Sequence, residues 1–170
     1  QCTDKRVNEV TPGLFRKYPT VRDFAAASQE ELAQDIRSTG FFNNKAKSVK
    51  GAAKKVLEDF KGRLPRTMDE MLTIPGAARK TANVVLGTAF GIASGVVVDT
   101  HVTRLSNRLG LTKVKDAVKI EQDLIARLPQ KEWIDFSHRM IWHGRRVCSA
   151  RKPNCEGCLL NKICPRIGVR

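Results

Sequence analysis

The 170-residue chain carries 31 lysines and arginines against 17 acids, a net charge of +14, and 41% of its residues are hydrophobic. That is enough for one domain, or two small ones, around a real core, while no apolar run reaches the roughly 18 residues of a membrane span. So large a positive excess on a globular chain calls for a polyanion, because phosphates repay it by counterion release; a basic but solvated surface is the plain alternative.

The pattern is helical almost throughout. The chain opens on Gln1, inside what reads as a helix, so a preceding segment is expected to have been removed; no secretory signal is visible. Leu14, Phe15 and Tyr18 recur at helical spacing until Pro19 and Thr20 interrupt them. Thr20 is placed to cap a helix over 21–27. Ser28 is placed to cap the next, with Glu31 at capping-box spacing; that helix buries Leu32 and Ile36 and ends near Gly40. An amphipathic helix over 44–60 turns Val49, Ala52, Ala53, Val56 and Phe60 inward, and Gly62 and Pro65 end it. Thr67 caps a helix over 68–72, and residues 79–90 form another. The connector 91–98 holds the apolar run Val96-Val97-Val98. Asp99 or Thr100 caps a helix reaching about Leu109, and helices over 117–128 and 133–147 follow. No alternating strands occur, and the predicted class is all-α with short loops. Trp133 and Trp142 fall at helical positions expected to face the core. After Val147 cysteines, prolines and asparagines replace the helical pattern.

Four of the five cysteines fall within 17 residues, Cys148, Cys155, Cys158 and Cys164, spaced C-x6-C-x2-C-x5-C. So dense a thiol cluster suits a metal centre better than disulfides, since this many helices bury a core without staples. Zinc held by four thiolates usually takes two C-x2-C knuckles. A single C-x2-C flanked by lone cysteines fits one loop around a [4Fe–4S] cube. Spacing alone favours the cluster, with zinc and disulfides left open. Cys2 reads as a small apolar residue. Arg145, Arg146, Arg151 and Lys152 flank the first two cysteines, as a phosphate clamp or as charge compensation.

Between two helices lies Leu72-Thr73-Ile74-Pro75-Gly76-Ala77-Ala78-Arg79-Lys80. Pro75-Gly76 makes a turn, and the free N–H groups and dipole of the next helix favour an anion there. A helix–hairpin–helix holds a DNA phosphate in this way without reading bases; an ordinary αα-hairpin has the same outline. Lys80 stands in the first turn of that helix. The helix field and the charge of Arg79 both favour the neutral amine that a nucleophile needs, whereas the plain reading is a phosphate-binding lysine. Asp99 reads as an N-cap. A helix of about 12 residues carries the chain roughly 18 Å from Lys80. A connector of about eight residues spans up to roughly 26 Å, so Asp99 can return beside Lys80. His101, His138 and His143 complete no metal or triad set and read as structural, with His143 placed to order the cysteine loop.

Several segments together resemble the endonuclease III family of helix–hairpin–helix DNA glycosylases: Ile74-Pro75-Gly76, Arg79 to Val85, Val98-Asp99-Thr100-His101, His143-Gly144-Arg145, and the cysteine loop with Ala150-Arg151-Lys152-Pro153. The resemblance runs from Gln1 to the final loop and implies a [4Fe–4S] cluster on Cys148, Cys155, Cys158 and Cys164. It implies two helical lobes with DNA between them: residues 20–115 with the hairpin at about 68–85, and residues 1–19 with 116–170 carrying the cluster loop 148–164. It also implies double-stranded DNA with a damaged base or abasic site as partner, base flipping, a monomer with no membrane partner, and a cytoplasmic, nucleoid-associated place if the source is bacterial. Lys80 is then the nucleophile at C1′ and Asp99 its assistant, with a Schiff base and β-elimination following; oxidised pyrimidines and abasic sites are the implied substrates. Gln1 matches a glutamine that fills the gap in the DNA stack, and Phe41 or Phe42 a wedge on the opposite strand, with core packing as the alternative for both. Gly76, Ala78, Arg79, Arg151 and Lys152 complete the expected DNA contacts.

Two departures stand out. The family hairpin reads Gly-x-Gly, whereas here it is Gly76-Ala77-Ala78, and a methyl at Ala78 costs little at negative φ and more at positive φ. The family's helix before Gln1 is also missing from this sequence. A monofunctional mismatch glycosylase is disfavoured by the lysine at position 80. A non-catalytic DNA-binding module with a structural or redox cluster is the remaining alternative.

Overall fold

The computed structural model describes residues 2–169. Helix α1 (Asp4–Lys17) starts where Thr3 Oγ1 accepts from the Arg6 N–H at 3.3 Å. The helix was expected to include Gln1; it begins later, because Thr3 supplies a cap, and Gln1 itself lies outside the described residues. Thr20 and Asp23 form a full capping box on α2 (Val21–Ala26), each side chain bonding the other's backbone N–H. Ser28 caps α3 (Gln29–Asp35) through the Glu31 N–H at 3.0 Å. The other half of that predicted box is not made, because the Glu31 carboxylate pairs with Lys17 at 2.7 Å instead. Lys17 also meets Asp35 at 2.8 Å, which ties the end of α1 to α3.

Helix α4 (Phe42–Phe60) begins two residues earlier than its spacing predicts, with Phe41 left-handed at φ 49° as its N-cap. Its buried residues are Ala46, Ala53 and Val56, whose small side chains let α2 and α3 pack closely. Val49, expected inward, is exposed; helical periodicity defines a stripe but not where along it the neighbours end. Helix α5 (Met68–Leu72) is capped by Thr67, as predicted. These elements make one compact unit, Gln1–Ala78. Tyr18, Ala27, Leu32, Ala33, Ile36 and Ala46 form a core in it, with Val10, Leu14, Phe24 and Phe42 packed against them.

The second unit, Arg79–Arg170, holds α6 (Arg79–Phe90), α7 (Thr100–Arg108), α8 (Ala117–Ile125) and α9 (Trp133–Arg146). Its core is Val96, Val98, Val102, Leu105, Ile120, Leu124 and Met140. Helices α7 and α9 pack together at Gly144, where a Cβ would come within 2.8 Å of His101 Nδ1 and 3.1 Å of the Arg104 guanidinium. Trp133 packs on the core and donates to the Leu128 carbonyl. Trp142 corrects its prediction: it is 51% exposed, with the Arg146 guanidinium 4.3 Å from its ring. Ser137, Met140 and Gly144 are the buried stripe of α9, and a residue two positions past Met140 points the other way. No β-strand is present among the described residues, and no helix is long and apolar enough to cross a membrane.

Candidate active site and cysteine loop

The Pro75-Gly76 turn is closed by the Ala77 N–H donating to the Ile74 carbonyl at 3.0 Å. Glycine is required at 76 twice over. Its φ is +80°, and a Cβ would lie 2.8 Å from Ser48 Cβ on α4. Ala78 is free of such strain: the left-handed residues other than glycine among those described are Phe41, Lys61 and Arg166. The missing glycine therefore strains no backbone, and what it leaves is a methyl exposed just before α6.

Lys80 is exposed in the first turn of α6, and among the described residues it makes no ion pair. It lines a shallow hollow with Arg79, Asn83, Val96, Val98 and Glu121 among its neighbours. The connector thus returns to the start of α6, and Asp99 is the residue after Val98. Burial of Val96 and Val98 anchors the connector, and Val97 N–H donates to Ser137 Oγ on α9 at 2.9 Å. Half-buried Asp99 caps α7 by accepting the Val102 N–H on Oδ1 at 2.8 Å, and its second oxygen is left over from the cap.

Arg79 is turned onto α8. Its Nε and one Nη meet Glu121 at 2.7 and 3.1 Å, so much of its guanidinium is engaged away from any phosphate. Glu121 and Asn83 were missed by the sequence reading. The signal for Asn83 was present: an amide in mid-helix is a poor helix former and implies a local partner. Glu121 gave none, since an acid beside Ile120 reads as the edge of a solvated face.

All four loop cysteines are free thiols lining one hollow. Arg108, buried on α7, places Nη1 3.2 Å from Cys148 Sγ and also holds the Ser149 and Ala150 carbonyls. The Leu160 N–H points at Cys158 Sγ at 3.4 Å, and His143 Nε2 stands 3.6 Å from the same sulfur. Burial holds the His143 imidazole below its ordinary pKa. Donors aimed at sulfur suit thiolates. Among the described residues no three His, Cys, Asp or Glu side chains gather as they would around one ion. Arg104 donates to the Gly144 and Cys148 carbonyls, each at 3.0 Å, so the packing of α7 on α9 is joined to the first cysteine. Burial and then the charge of Arg108 lower the Arg104 pKa.

The other expected contacts are separated by their surroundings. Phe41 is 72% exposed, whereas Phe42 packs against the first unit's core. Arg151 and Lys152 are exposed on the cysteine loop, in a turn held by Ser149 Oγ, which donates to the Lys152 carbonyl and accepts its N–H.

Residues 1–130 match the model of the HhH-GPD superfamily base excision DNA repair proteins. Endonuclease III of Synechocystis sp. is 56% identical over 165 residues, 97% of this chain and 75% of that protein. The chain belongs to the endonuclease III family. Two solved structures of endonuclease III, a non-covalent DNA complex and a trapped DNA covalent intermediate with an estranged adenine, are each similar at a TM-score of 0.92 and 44% identity. Each match covers 98% of this chain and 78% of the other. The all-helical fold is therefore that of endonuclease III.

Proposed function

We propose that this chain is a base-excision DNA glycosylase with abasic-site lyase activity, acting on double-stranded DNA that holds an oxidised pyrimidine or an abasic site. The observation that carries it is Lys80: an exposed amine that makes no ion pair among the described residues, at the first turn of α6, lining a hollow with Val98, the neighbour of Asp99. The trapped covalent intermediate of a 44%-identical endonuclease III supports the same chemistry. Lys80 Nζ attacks C1′ of the flipped nucleotide, and the C1′–N bond breaks with its electron pair leaving on the base, which picks up a proton. Asp99 stabilises the cationic sugar or takes the lysine's proton. The sugar ring opens to a protonated Schiff base, a C2′ proton is lost, and β-elimination breaks the C3′–O bond, releasing the 3′ strand. The division into a hairpin lobe over 20–115 and a cluster lobe from 1–19 and 116–170 belongs to the same proposal.

The four cysteines would hold a [4Fe–4S] cluster, which when bound supplies an anionic iron–sulfur cage that cross-links the loop at four points. The chain's own part is to present Arg151 and Lys152 on that loop to the DNA backbone; in the first unit Gly76 and Ala78 are the proposed phosphate contacts and Phe41 the proposed wedge on the opposite strand. Purified protein with a brown visible absorbance supports the cluster, and colourless protein with bound zinc overturns it. The catalytic reading is tested by incubation with abasic-site DNA and borohydride, which reduces a Schiff base to a stable amine. A covalent adduct is expected in the wild type and absent in Lys80→Gln. DNA binding without any adduct would instead make the chain a binding module.

A further inference from the structure

The second unit holds a buried carboxylate that the chemistry above does not use. Glu121 is 3% exposed, and both its oxygens are taken. Oε2 accepts from Arg79 Nε at 2.7 Å, and Oε1 accepts from Arg79 Nη2 at 3.1 Å and from Asn83 Nδ2 at 2.9 Å. Asn83 passes the constraint on, its Oδ1 accepting from Ser94 Oγ at 2.9 Å. Gly95 closes the arrangement: a Cβ there would overlap Glu121 Oε1 and lie 2.8 Å from Asn83 Oδ1. Three segments meet at this carboxylate, the first turns of α6, the connector and α8. Lys80 follows Arg79 directly, and the stretch that begins at Ser94 and Gly95 ends at Asp99.

A carboxylate with three donors on it is no proton acceptor for a substrate. A buried ion pair is also a poor source of stability, because desolvation offsets much of the attraction. Its value lies in direction. Bidentate contact fixes the guanidinium plane, and through it the rotation of the α6 N-terminus about its own axis. The link from Asn83 to Ser94 sets how the connector lies along that helix.

We propose that Glu121 is a positioning residue, bracing Arg79 and Asn83 so that Lys80 and Asp99 address the same sugar. This rests on the reading of Lys80 and Asp99 as the reacting pair. Displacement of a reacting group by about 1 Å costs on the order of a hundredfold in rate, so loosening the brace acts on the chemical step more than on DNA binding.

The test uses Glu121→Gln in the full chain, with single-turnover borohydride trapping on saturating abasic-site DNA, and with Kd and Tm measured alongside. The amide places a donor against two donors, and the trapping rate is expected to fall about tenfold or more while Kd stays within roughly twofold. The double variant Asn83→Asp/Glu121→Gln moves the carboxylate from α8 to α6 and the amide the other way. It restores complementarity between the helices, the amide oxygen still able to accept from Arg79 Nε while its NH2 donates to the new carboxylate, and should recover a clear part of the lost rate. If Glu121→Gln does not fold, Ser94→Ala removes only the connector link and should show the same pattern in smaller measure. An unchanged trapping rate in the single variant, or a loss that the double variant does not recover, overturns the proposal alone. No adduct in the wild type sinks the Lys80 reading, and the proposal with it.

Discussion

Asp99 has two roles that a pair of substitutions separates. As the N-cap of α7 it needs only an oxygen for the Val102 N–H, and asparagine caps as well as aspartate. In its proposed role beside Lys80 it needs its charge. Asp99→Asn should therefore leave stability within about 0.5 kcal/mol while slowing Schiff-base trapping about a hundredfold. Asp99→Ala should add a stability loss of about 1 kcal/mol from the missing cap. Thermal melts run beside the trapping assay check both, and equal melting losses in the two variants would deny the separation. The cap was legible in the sequence because it is local: an acid before a helical run bonds the backbone three residues on. Ala78 was legible only as a question, since a residue name carries no φ. The structure keeps it out of the left-handed region, so this departure from Gly-x-Gly strains no backbone.

At the scale of elements, Gly144 decides how closely α7 and α9 pack. A methyl there would meet His101 and Arg104, so Gly144→Ala should cost about 1–3 kcal/mol by overpacking. The effect should travel, because Arg104 also holds the Gly144 and Cys148 carbonyls. Denaturant titration checks the first part, and faster bleaching of the proposed cluster's visible absorbance by a chelator checks the second; bleaching at the wild-type rate would uncouple the loop from the helix packing. The segments around His101 and Gly144 were singled out in the sequence separately, and the structure supplies the contact that joins them. Helix existence was readable throughout from periodicity and caps. Which helices touch was not, and so Val49 and Trp142 were given inward faces that the fold leaves exposed.

At the scale of the whole molecule the net charge of +14 bears on phosphate, and its contribution is measurable as a salt slope. Arg151→Ala and Lys152→Ala remove exposed charges from the cysteine loop. Each should lower the slope of log K against log salt by about one while weakening all DNA sequences alike. An unchanged slope would place these side chains off the DNA. The sequence by itself determined the helical class, the caps, the glycine turn before α6 and the dense set of thiols, because these depend on residues within a few positions of one another. Only the tertiary structure decided that Phe41 projects while Phe42 is packed, that Arg79 turns to Glu121, and that Arg108 reaches Cys148. Those depend on partners some 40 residues away or on which face a neighbour covers. The charge excess states that a polyanion is met; the burial of Val96 and Val98, which returns the connector to the start of α6, sets where beside Lys80 the chemistry is proposed to happen.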